Sequence, residues 1–418
     1  MKSFLRKIIP QWVVNKSKHL PMAILANFKY GFPAKKLTVI GVTGTDGKTT
    51  TVNMIYHILK SAGKKVSMIS TINAVIGDKT QDIGFHVTSP DPMDVQKYLK
   101  EAVQAGSEYM VLEVSSHSLD QYRFWGVKFD VGVITNITHD HLDYHKTWEN
   151  YLLAKTKIIK NARVAVLYQA EKHFKRAEKI AKGKVVSFGL TKNADFNPVK
   201  FPLKIGLLGE FNLLNALATS AVAVNLGIDS KTVKKSLEEF KSLNGRMEFF
   251  ENELGIKIVI DFAATPNSLE NSLKTLRRET KDRLISVFGS AGLRDVEKRS
   301  MMGEISAKYA DMTVVTAEDP RGHLDEINEQ IKSGAEKAGG KIDENLFVIP
   351  DRKEAIRFAI KDLAKKGDLV GVFGKSHEKS MNLDGKNEIP WSDKEAIERV
   401  LLAKSEARNT KSETNSKS

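Results

Sequence analysis

Short apolar runs alternate with amphipathic stretches along most of this 418-residue chain. From residue 37 to 245, β-branched runs at 38–43, 66–70, 109–114, 130–135 and 163–168 predict buried strands, with helical patterns between them. A second series of apolar runs follows at 256–261, 284–288, 312–316, 346–349 and 369–373. Because strands that alternate with helices build parallel sheets, we predict an α/β protein. It has a central doubly wound domain and a smaller Rossmann-like C-terminal α/β domain.

These patterns divide the chain into four segments: 1–36, 37–245, 246–403 and 404–418. The join near Leu243–Arg246 is polar and contains a glycine, and the last segment has the composition of a disordered tail. The first segment predicts a basic amphipathic helix, whose apolar face holds Phe4, Leu5, Ile8, Ile9, Trp12 and Val13. Such a helix either contacts a membrane surface through residues 1–14 or docks on the central domain, and both interpretations stay open.

Composition excludes several classes of protein. The chain has no cysteine, so disulfides, zinc-thiolate sites and thiol nucleophiles are ruled out. Much of the net charge of +14 lies at the N-terminus, where the first 36 residues hold eight Lys or Arg and no Asp or Glu. Without a basic groove interleaved with aromatic residues, we expect no nucleic-acid binding. The chain shows neither a spanning segment nor a signal peptide, so we expect a cytoplasmic monomer, with the inner membrane face as the site of any contact.

The stretch from Thr38 to Thr51 carries the strongest chemical signal. A buried-strand pattern breaks into a turn containing Gly44 and Gly47, and Lys48 then opens an amphipathic helix. Strand, glycine turn, lysine and helix N-terminus together form a phosphate cradle, which makes the central domain a P-loop ATPase domain. The glycine spacing departs from the usual P-loop, and the alternative is a glycine turn that binds no nucleotide.

Two further polar clusters follow apolar strands. Glu113 ends one strand and would lie beside the phosphates, because ligands gather at the carboxyl ends of parallel strands. The run 135–145 holds three histidines and two aspartates, a set that suits a divalent metal or a hydrogen-bonded loop equally well. Lys155 lies in a helical stretch, and its pattern alone predicts a solvated lysine.

Eleven ordered blocks resemble the Mur ligase family, and within it the branch that adds the diamino acid to the peptidoglycan stem. The blocks are GVTGTDGKTTT (41–51), TSP (88–90), EVSSHSLDQYR (113–123), NITHDHLDYH (136–145), YLLAKTK (151–157), GEFNLLNALA (209–218), LNGRME (243–248), DFAATPNSLE (261–270), FGSAGLRDVEKR (288–299), EDPR (318–321) and GKSHE (374–378).

The resemblance implies an ATP-dependent ligase that uses Mg²⁺. ATP would phosphorylate the free carboxylate of a UDP-MurNAc-dipeptide, and the amine of the diamino acid would displace phosphate from the acyl phosphate. The implied catalytic residues are Lys48, Glu113, His141 and Lys155. The implied metal ligands are Thr49, Glu113, His141 and, once carbamylated, Lys155.

The resemblance also assigns two binding sets. The implied ATP-binding residues are Gly44, Thr45, Asp46, Gly47, Lys48, Thr49, Thr50, Asn212, Asn215, Arg246 and Asp261. The implied substrate-binding residues are Thr88, Ser89, Ser115, Gln121, Arg123, Arg294, Glu318, Asp319, Arg321, Gly374 and Glu378. In relatives that add diaminopimelate, an Asp-Asn-Pro-Arg motif places its arginine on the distal carboxylate. Arg321 of the EDPR block therefore favours meso-diaminopimelate over lysine.

The chain departs from the family in three places. Thirty-six residues before the central domain cannot supply the family's uridine-binding domain. Ala264 stands where the family has a histidine, and the AGLRD and GKSHE blocks are altered. Three alternatives therefore stay open: a different amino acid such as lysine, a different acceptor (lipid-linked or folyl-type), and a non-catalytic ATP-binding scaffold.

Overall fold

The computed structural model describes residues 10–81 and 89–402. Contacts group the chain into two compact units, which divide between Lys241 and Ser242. Two short segments, His139–Tyr144 and Leu208–Glu210, group with the second unit. Within the described ranges, no helix is long and apolar enough to cross a membrane. Residues 1–9 of the predicted amphipathic helix, Thr88 and the predicted tail lie outside the described residues.

The first unit is built on an eight-stranded sheet of order β4-β3-β2-β5-β1-β6-β7-β8. Its strands are β1 (Thr38–Thr43), β2 (Val66–Ile69), β3 (Ala74–Ile76), β4 (Lys79–Gln81), β5 (Tyr109–Glu113), β6 (Val131–Ile134), β7 (Val164–Tyr168) and β8 (Lys184–Phe188). The five predicted strands all form and run parallel, which confirms the parallel core. The prediction missed β8, and it missed β3 and β4, which add an antiparallel edge to the sheet.

The helices of the first unit connect these strands. They are α1 (Gln11–Val14), α2 (Leu20–Tyr30), α3 (Lys48–Ser61), α4 (Pro92–Gln104), α5 (Ser116–Asp120), α7 (Trp148–Thr156), α8 (Phe174–Ile180), α9 (Glu210–Asn225) and α10 (Ser230–Glu239). The short helix α6 (Leu142–His145) lies largely in the segment His139–Tyr144, which groups with the second unit. A π-helical turn, Asn15–His19, joins α1 to α2, and a 3-10 turn, Pro33–Lys36, precedes β1. One apolar core under the sheet includes Val39, Leu112 and Ile134, so the strands that carry the site are held by burial on both faces.

The second unit has a six-stranded sheet of order β13-β12-β11-β14-β10-β9, in which β9 alone is antiparallel. Its strands are β9 (Glu248–Phe250), β10 (Lys257–Asp261), β11 (Leu284–Phe288), β12 (Met312–Val315), β13 (Leu346–Val348) and β14 (Leu369–Phe373), with a separate hairpin of β15 (Ser380–Asn382) and β16 (Glu388–Pro390). Its helices are α11 (Pro266–Glu279), α12 (Glu297–Tyr309), α13 (Leu324–Lys337) and α14 (Arg352–Arg357), and a π-helical turn Phe358–Leu363 follows. The predicted strands all form, and β9 and the hairpin were missed.

Candidate active site

The centre of the first sheet brings three loops to one edge. Strand β1 lies between β5 and β6 and is parallel to both, with Val42 opposite Glu113 and Thr43 opposite Ile134. The carboxyl ends of these three strands therefore meet, as expected where an α/β sheet binds a ligand. The glycine turn follows β1, Glu113 ends β5, and the loop from Thr135 follows β6.

The glycine turn is braced by the loop after β6. The side chain of Asn136 accepts a hydrogen bond from the Asp46 amide (3.0 Å), and Thr135 Oγ1 donates to the Asp46 carbonyl (2.6 Å). Gly44 has φ of 155°, and a Cβ there would overlap Thr135 Oγ1. Close approach of the two loops therefore requires glycine at this position. The sequence analysis gave no role to Asn136, although it lies in a motif block.

Lys48 and Thr49 begin helix α3 directly after the turn. Lys48 Nζ donates to the carbonyls of Gly44 (3.2 Å) and Thr45 (2.8 Å), so its ammonium lies over the loop. Thr49 Oγ1 donates to Glu113 Oε1 (3.1 Å), and Glu113 Oε2 accepts from the Thr71 amide (2.8 Å). Both Thr49 and Glu113 are buried, with 5% and 2% exposed. A hydroxyl and a carboxylate thus meet at a helix N-terminus, an oxygen donor set that suits Mg²⁺.

The predicted adenine-side asparagines lie on α9, against the same turn. Asn215 Oδ1 accepts from Thr51 Oγ1 (3.4 Å), and a Cβ on Gly47 would overlap it. Asn212 lies one helical turn away and contacts Asn215. Gly47 has φ of 80° and is the residue immediately before α3, so α9 contacts the turn at Gly47, whereas Asn136 contacts it at Asp46. Thr50 is buried on α3.

Lys155 is buried with only 1% of its surface exposed, so the prediction of a solvated lysine from pattern alone was wrong. Its ammonium lies 4.5 Å from the ring centroid of Tyr151, one turn earlier on α7. The Tyr151 hydroxyl is 2.9 Å from Thr45 Oγ1 in the glycine turn. Helix α7 therefore links the buried lysine to the phosphate cradle through one aromatic ring.

The histidine-rich loop separates into distinct environments. His145 is buried, and its Nε2 lies 3.0 Å from Ser116 Oγ, so this histidine packs on α5. His141 has φ of 57°, and its Nε2 lies 3.2 Å from Asp140 Oδ2. Among the described residues, the side chains of His139, Asp295 and Glu297 place ligand atoms within 4.8 Å of one another. The three histidines of this loop therefore do not form a single group of metal ligands in the part of the chain that the structure describes.

A carboxylate within this loop, Asp143, has a perturbed pKa. Burial raises the pKa of Asp143, and the neighbouring Asp295 carboxylate raises it further, whereas Arg294 acts in the opposite direction. Arg294 is half-buried in the AGLRD block. The predicted amino-acid contact Arg294 thus lies near acidic groups within the second unit.

Four of the predicted substrate-binding residues, Ser89, Ser115, Gln121 and Arg123, come together beside Glu113. Ser89 Oγ donates to the Glu113 carbonyl (3.2 Å) and accepts from the Ser115 amide (3.0 Å). Ser115 caps α5 by accepting from the Ser118 amide. The Arg123 guanidinium donates to the Ser89 carbonyl (2.7 Å) and, through Nε and Nη2, to Gln121 Oε1 (3.0 and 2.8 Å). A cation and several hydroxyls therefore lie next to the phosphate cradle, as binding of an anionic acceptor requires.

The predicted amino-acid residues gather in the second unit. Arg321 donates through Nε and Nη2 to Asp319 Oδ2 (3.2 and 2.8 Å). Lys375 forms ion pairs with Glu378 and, at 3.6 Å, with Asp319. The EDPR and GKSHE blocks, which are distant in sequence, therefore meet.

The two blocks also touch through a buried carboxyl. Gly374 has φ of 102°, and a Cβ there would lie 3.1 Å from the Glu318 carboxyl. Burial, assisted by the neighbouring Glu378 carboxylate, raises the pKa of Glu318 to about 7, although Lys298 and Lys375 act in the opposite direction. Glu318 is thus poised to exchange a proton near neutral pH beside Arg321 and Lys375.

Two buried residues that the sequence analysis missed hold these blocks in place. Arg352 and Asp393 form a bidentate ion pair with both N–O distances at 2.7 Å and no solvent exposure of either side chain. Arg352 also donates to the carbonyls of Ala317 and Phe373, and Asp393 accepts from the Ser376 amide. Nothing in the local pattern marked them, because charged residues are rarely this buried.

The join near Leu243–Arg246 lies close to the GKSHE block. Asp261 accepts from the Met247 amide (3.0 Å) and from Ser272 Oγ (2.9 Å), and the Arg246 guanidinium stacks 4.5 Å from the Phe262 ring centroid. Ser376 Oγ donates to the Gly245 carbonyl (2.6 Å). Burial, together with the nearby charges of Arg246 and Lys375, lowers the pKa of His377 to about 3.

Comparison with known proteins identifies the class that this fold and site define. Residues 42–223 match the Mur ligase middle domain, and residues 245–376 match the Mur ligase, glutamate ligase domain. The chain therefore belongs to the Mur ligase family, whose members are ATP-dependent ligases that form amide bonds.

Particular relatives narrow the resemblance. The chain is 38% identical to UDP-N-acetylmuramoyl-L-alanyl-D-glutamate–2,6-diaminopimelate ligase 1 of Clostridium acetobutylicum, over 91% of this chain and 81% of that protein. It is 35% identical to UDP-N-acetylmuramoyl-L-alanyl-D-glutamate–2,6-diaminopimelate ligase of Aquifex aeolicus, over 89% of this chain and 79% of that protein. A solved structure of such a ligase matches with a TM-score of 0.59 at 29% identity, covering 88% of this chain and 79% of that one.

Proposed function

We propose that this protein joins meso-diaminopimelate to UDP-MurNAc-L-Ala-D-Glu in an ATP-dependent reaction of peptidoglycan precursor synthesis. The observation that carries the proposal is the meeting of Lys48, Thr49 and Glu113 at the edge of the first sheet, beside Arg123. The names of the relatives supply the substrates, because each relative compared above acts on 2,6-diaminopimelate by its name.

The first step is phosphorylation of the acceptor carboxylate. Lys48 and the α3 N-terminus would stabilise the negative charge on the transferring phosphoryl group, and the glycine turn from Gly44 to Gly47 would hold the phosphates. Asn212 and Asn215 would contact the adenine side of ATP, and Arg246 and Asp261 would contact the hinge and ribose side. Arg123, Ser89, Ser115 and Gln121 would bind the acceptor, with Thr88 beside them in sequence.

Mg²⁺ would be held by Thr49 and Glu113, and His141 is a further candidate ligand. The metal would supply charge neutralisation at the phosphates. Lys155 is proposed to carry a carbamate, which would convert a cation into a carboxylate-like ligand. Its burial supports this, because Tyr151 beside it also contacts Thr45 of the glycine turn, so a carbamate there would lie close to the phosphate cradle.

In the second step, the diamino acid attacks the acyl phosphate. Arg321 would bind its distal carboxylate, and Arg294, Asp319, Gly374 and Glu378 would line the rest of the pocket with Glu318. The acyl carbon gains a bond to the amine nitrogen and loses its bond to the phosphate oxygen. Inorganic phosphate leaves with that electron pair, and the amine nitrogen releases a proton to solvent. We propose a monomer, and any membrane contact would involve the N-terminal segment.

One observation favours a second candidate function, in which the same ligase chemistry uses another amino acid. The Arg321 guanidinium donates through both Nε and Nη2 to Asp319. Asp319 stands where the motif of diaminopimelate-adding relatives has an asparagine. An amino acid without a distal carboxylate, such as lysine, would not compete with that ion pair. A different acceptor is a further variant of this candidate.

The test is phosphate release from ATP with UDP-MurNAc-L-Ala-D-Glu, comparing meso-diaminopimelate, L-lysine and no amino acid. We expect release that depends on diaminopimelate, together with the tripeptide product by mass spectrometry. Release that depends on lysine would establish the second candidate. Two results would contradict the proposed reaction. One is phosphate release that is the same with and without an amino acid. The other is no phosphate release from wild type under any of the three conditions, so that it behaves as Lys48→Met does.

A further inference from the structure

The described part of the N-terminal segment, Pro10–Lys36, is fixed to the first unit by two buried asparagines. Asn15 Nδ2 donates to Asp120 Oδ2 at the end of α5 (2.7 Å). Asn27 Nδ2 donates to the Trp125 carbonyl (2.7 Å), and a Cβ on Gly126 would overlap the Asn27 side chain. Ala23 and Ala26 complete the inner face, since neither is exposed. The inner face is therefore committed to the chain's own fold.

The opposite side of the same segment is apolar and exposed. Residues 23, 26 and 27 point inward, so Met22, Leu25 and Phe28 on the other side of α2 point outward. Their exposed fractions are 38%, 59% and 68%, and that of Trp12 on α1 is 63%. We call these four residues the outer face. They account for four of the large apolar side chains that the described part of the chain exposes, and they lie within 17 consecutive residues.

The charged side chains of the segment itself all have the same sign. Residues 10–36 contain five lysines and neither aspartate nor glutamate. Lys16, Lys29 and Lys35 each lie over an aromatic ring of the segment, at 5.7 Å from Trp12, 5.4 Å from Tyr30 and 4.8 Å from Phe32. Their ammonium groups are therefore held around exposed apolar side chains rather than paired with acids along the segment.

We propose that the outer face of residues 10–36 docks this enzyme on the surface of an anionic lipid bilayer. Apolar side chains of Leu, Met and Phe would enter the headgroup boundary, Trp12 would lie at the interface, and the lysines would bind lipid phosphates. Charge complementarity favours an anionic bilayer, because the charged side chains of residues 10–36 are five lysines and none is acidic. The inference does not depend on which amino acid the ligase adds.

Fixing the inner face makes docking compatible with a folded enzyme. The segment need not detach from the first unit, because Asn15 and Asn27 use side chains that the outer face does not include. The two interpretations that the sequence left open are therefore combined in one helix pair, with one side on the protein and the other available to lipid.

The test is co-sedimentation of the full chain with vesicles of phosphatidylcholine containing phosphatidylglycerol, compared with phosphatidylcholine alone. We expect binding to the anionic vesicles that weakens at high salt. Leu25→Glu combined with Phe28→Glu should lower the partition coefficient at least tenfold. The matched control is Val199→Glu combined with Ile342→Glu, at exposed apolar sites outside the segment, and it should bind as wild type does.

Two further variants separate charge from insertion. Lys16→Gln, Lys29→Gln and Lys35→Gln together should weaken anionic binding, whereas Lys64→Gln, Lys65→Gln and Lys182→Gln together should leave it unchanged. Brominated lipids should quench tryptophan fluorescence of wild type but not of Trp12→Phe. Circular dichroism and ATP turnover of each variant verify that the fold is intact.

Three results would overturn the proposal. The first is equal binding to neutral and anionic vesicles, or none to either. The second is unchanged binding by the Leu25→Glu/Phe28→Glu variant. The third is self-association in solution, seen by light scattering, that this variant abolishes without any vesicle binding, because the outer face would then belong to a second copy.

Discussion

At the level of single residues, the choice of amino acid depends on what Arg321 binds. Its guanidinium donates two hydrogen bonds to Asp319 Oδ2, at 3.2 and 2.8 Å. Asp319 Oδ1 also accepts a hydrogen bond from the Asn382 amide at 2.6 Å. The carboxylate is thus anchored by the β15–β16 hairpin. A substrate carboxylate would have to share a cation that already has an anionic partner, which costs part of the binding energy.

Two substitutions test this sharing. Arg321→Ala should raise the KM for meso-diaminopimelate at least tenfold, since a charged hydrogen bond contributes about 1.5–3 kcal/mol. Asp319→Asn should lower that KM several-fold, because it frees the guanidinium. Steady-state kinetics with diaminopimelate and lysine measure both, with the surface variant Arg357→Ala as control. If Asp319→Asn raises the KM for diaminopimelate, the carboxylate orients Arg321 for substrate rather than competing with it.

The residue scale is also where sequence reasoning reached its limit. The phosphate cradle and the cluster around Arg123 could be predicted, because their residues follow strands and stand in motif blocks. Lys155 was misjudged on pattern, since an amphipathic helix does not reveal which polar side chain a neighbouring strand and loop will bury. Arg352 and Asp393 were missed for the same reason: their burial depends on partners far apart in sequence.

At the level of elements, the site depends on loops that approach one another closely. The turn after β1 touches the loop after β6 at Gly44 and helix α9 at Gly47. Most strands with long apolar runs were predicted, but β8 was missed although it has five residues. The three-residue strands β3, β9 and β15 were also missed, since so short a run carries little periodicity and its pairing is decided by the rest of the sheet.

Gly44→Ala tests the close approach. The added Cβ would overlap Thr135 Oγ1, so the turn must move and its amides would no longer converge on phosphate. We expect at least a hundredfold loss in kcat/KM for ATP with little change in secondary structure. Gly63→Ala at the other end of α3 is the control, because its φ of 71° is comparably unusual but nothing lies within 4 Å of the new Cβ. It should cost about 1 kcal/mol of stability and leave turnover intact. Equal kinetic losses in both variants would contradict a specific role for the loop contact.

At the scale of the whole molecule, each unit carries its own apolar core and its own share of the chemistry. The second unit also buries two groups whose protonation makes its stability depend on pH. Glu318 has a pKa raised to about 7 from an ordinary 4.5, and His377 has a pKa lowered to about 3 from 6.5. Both side chains are therefore uncharged in the folded protein around pH 6.

The two groups give opposite pH dependences. Between pH 4.5 and 7 the folded state holds a proton on Glu318 that the unfolded chain has released, so stability falls as pH rises. Between pH 3 and 6.5 the unfolded chain binds a proton on His377 that the folded state refuses, so stability rises with pH and is lost on acidification. From pH 4.5 to 6.5 the two slopes oppose each other and largely cancel.

Glu318→Gln should leave the His377 contribution unopposed. The free energy of unfolding of the second unit should then increase with pH up to about 6.5, with a slope of about 1.4 kcal/mol per pH unit. His377→Gln should uncover the opposite slope, with stability decreasing as pH rises towards 7. Hydrogen exchange of the β10 and β14 amides, followed by mass spectrometry across this range, reports the local free energy of opening in the second unit. The double variant should be nearly flat over the same range. If the single variants keep the pH profile of wild type, neither buried group is uncharged in the folded protein, and the cluster around Gly374 must hold Glu318 as a carboxylate paired with Lys298 or Lys375.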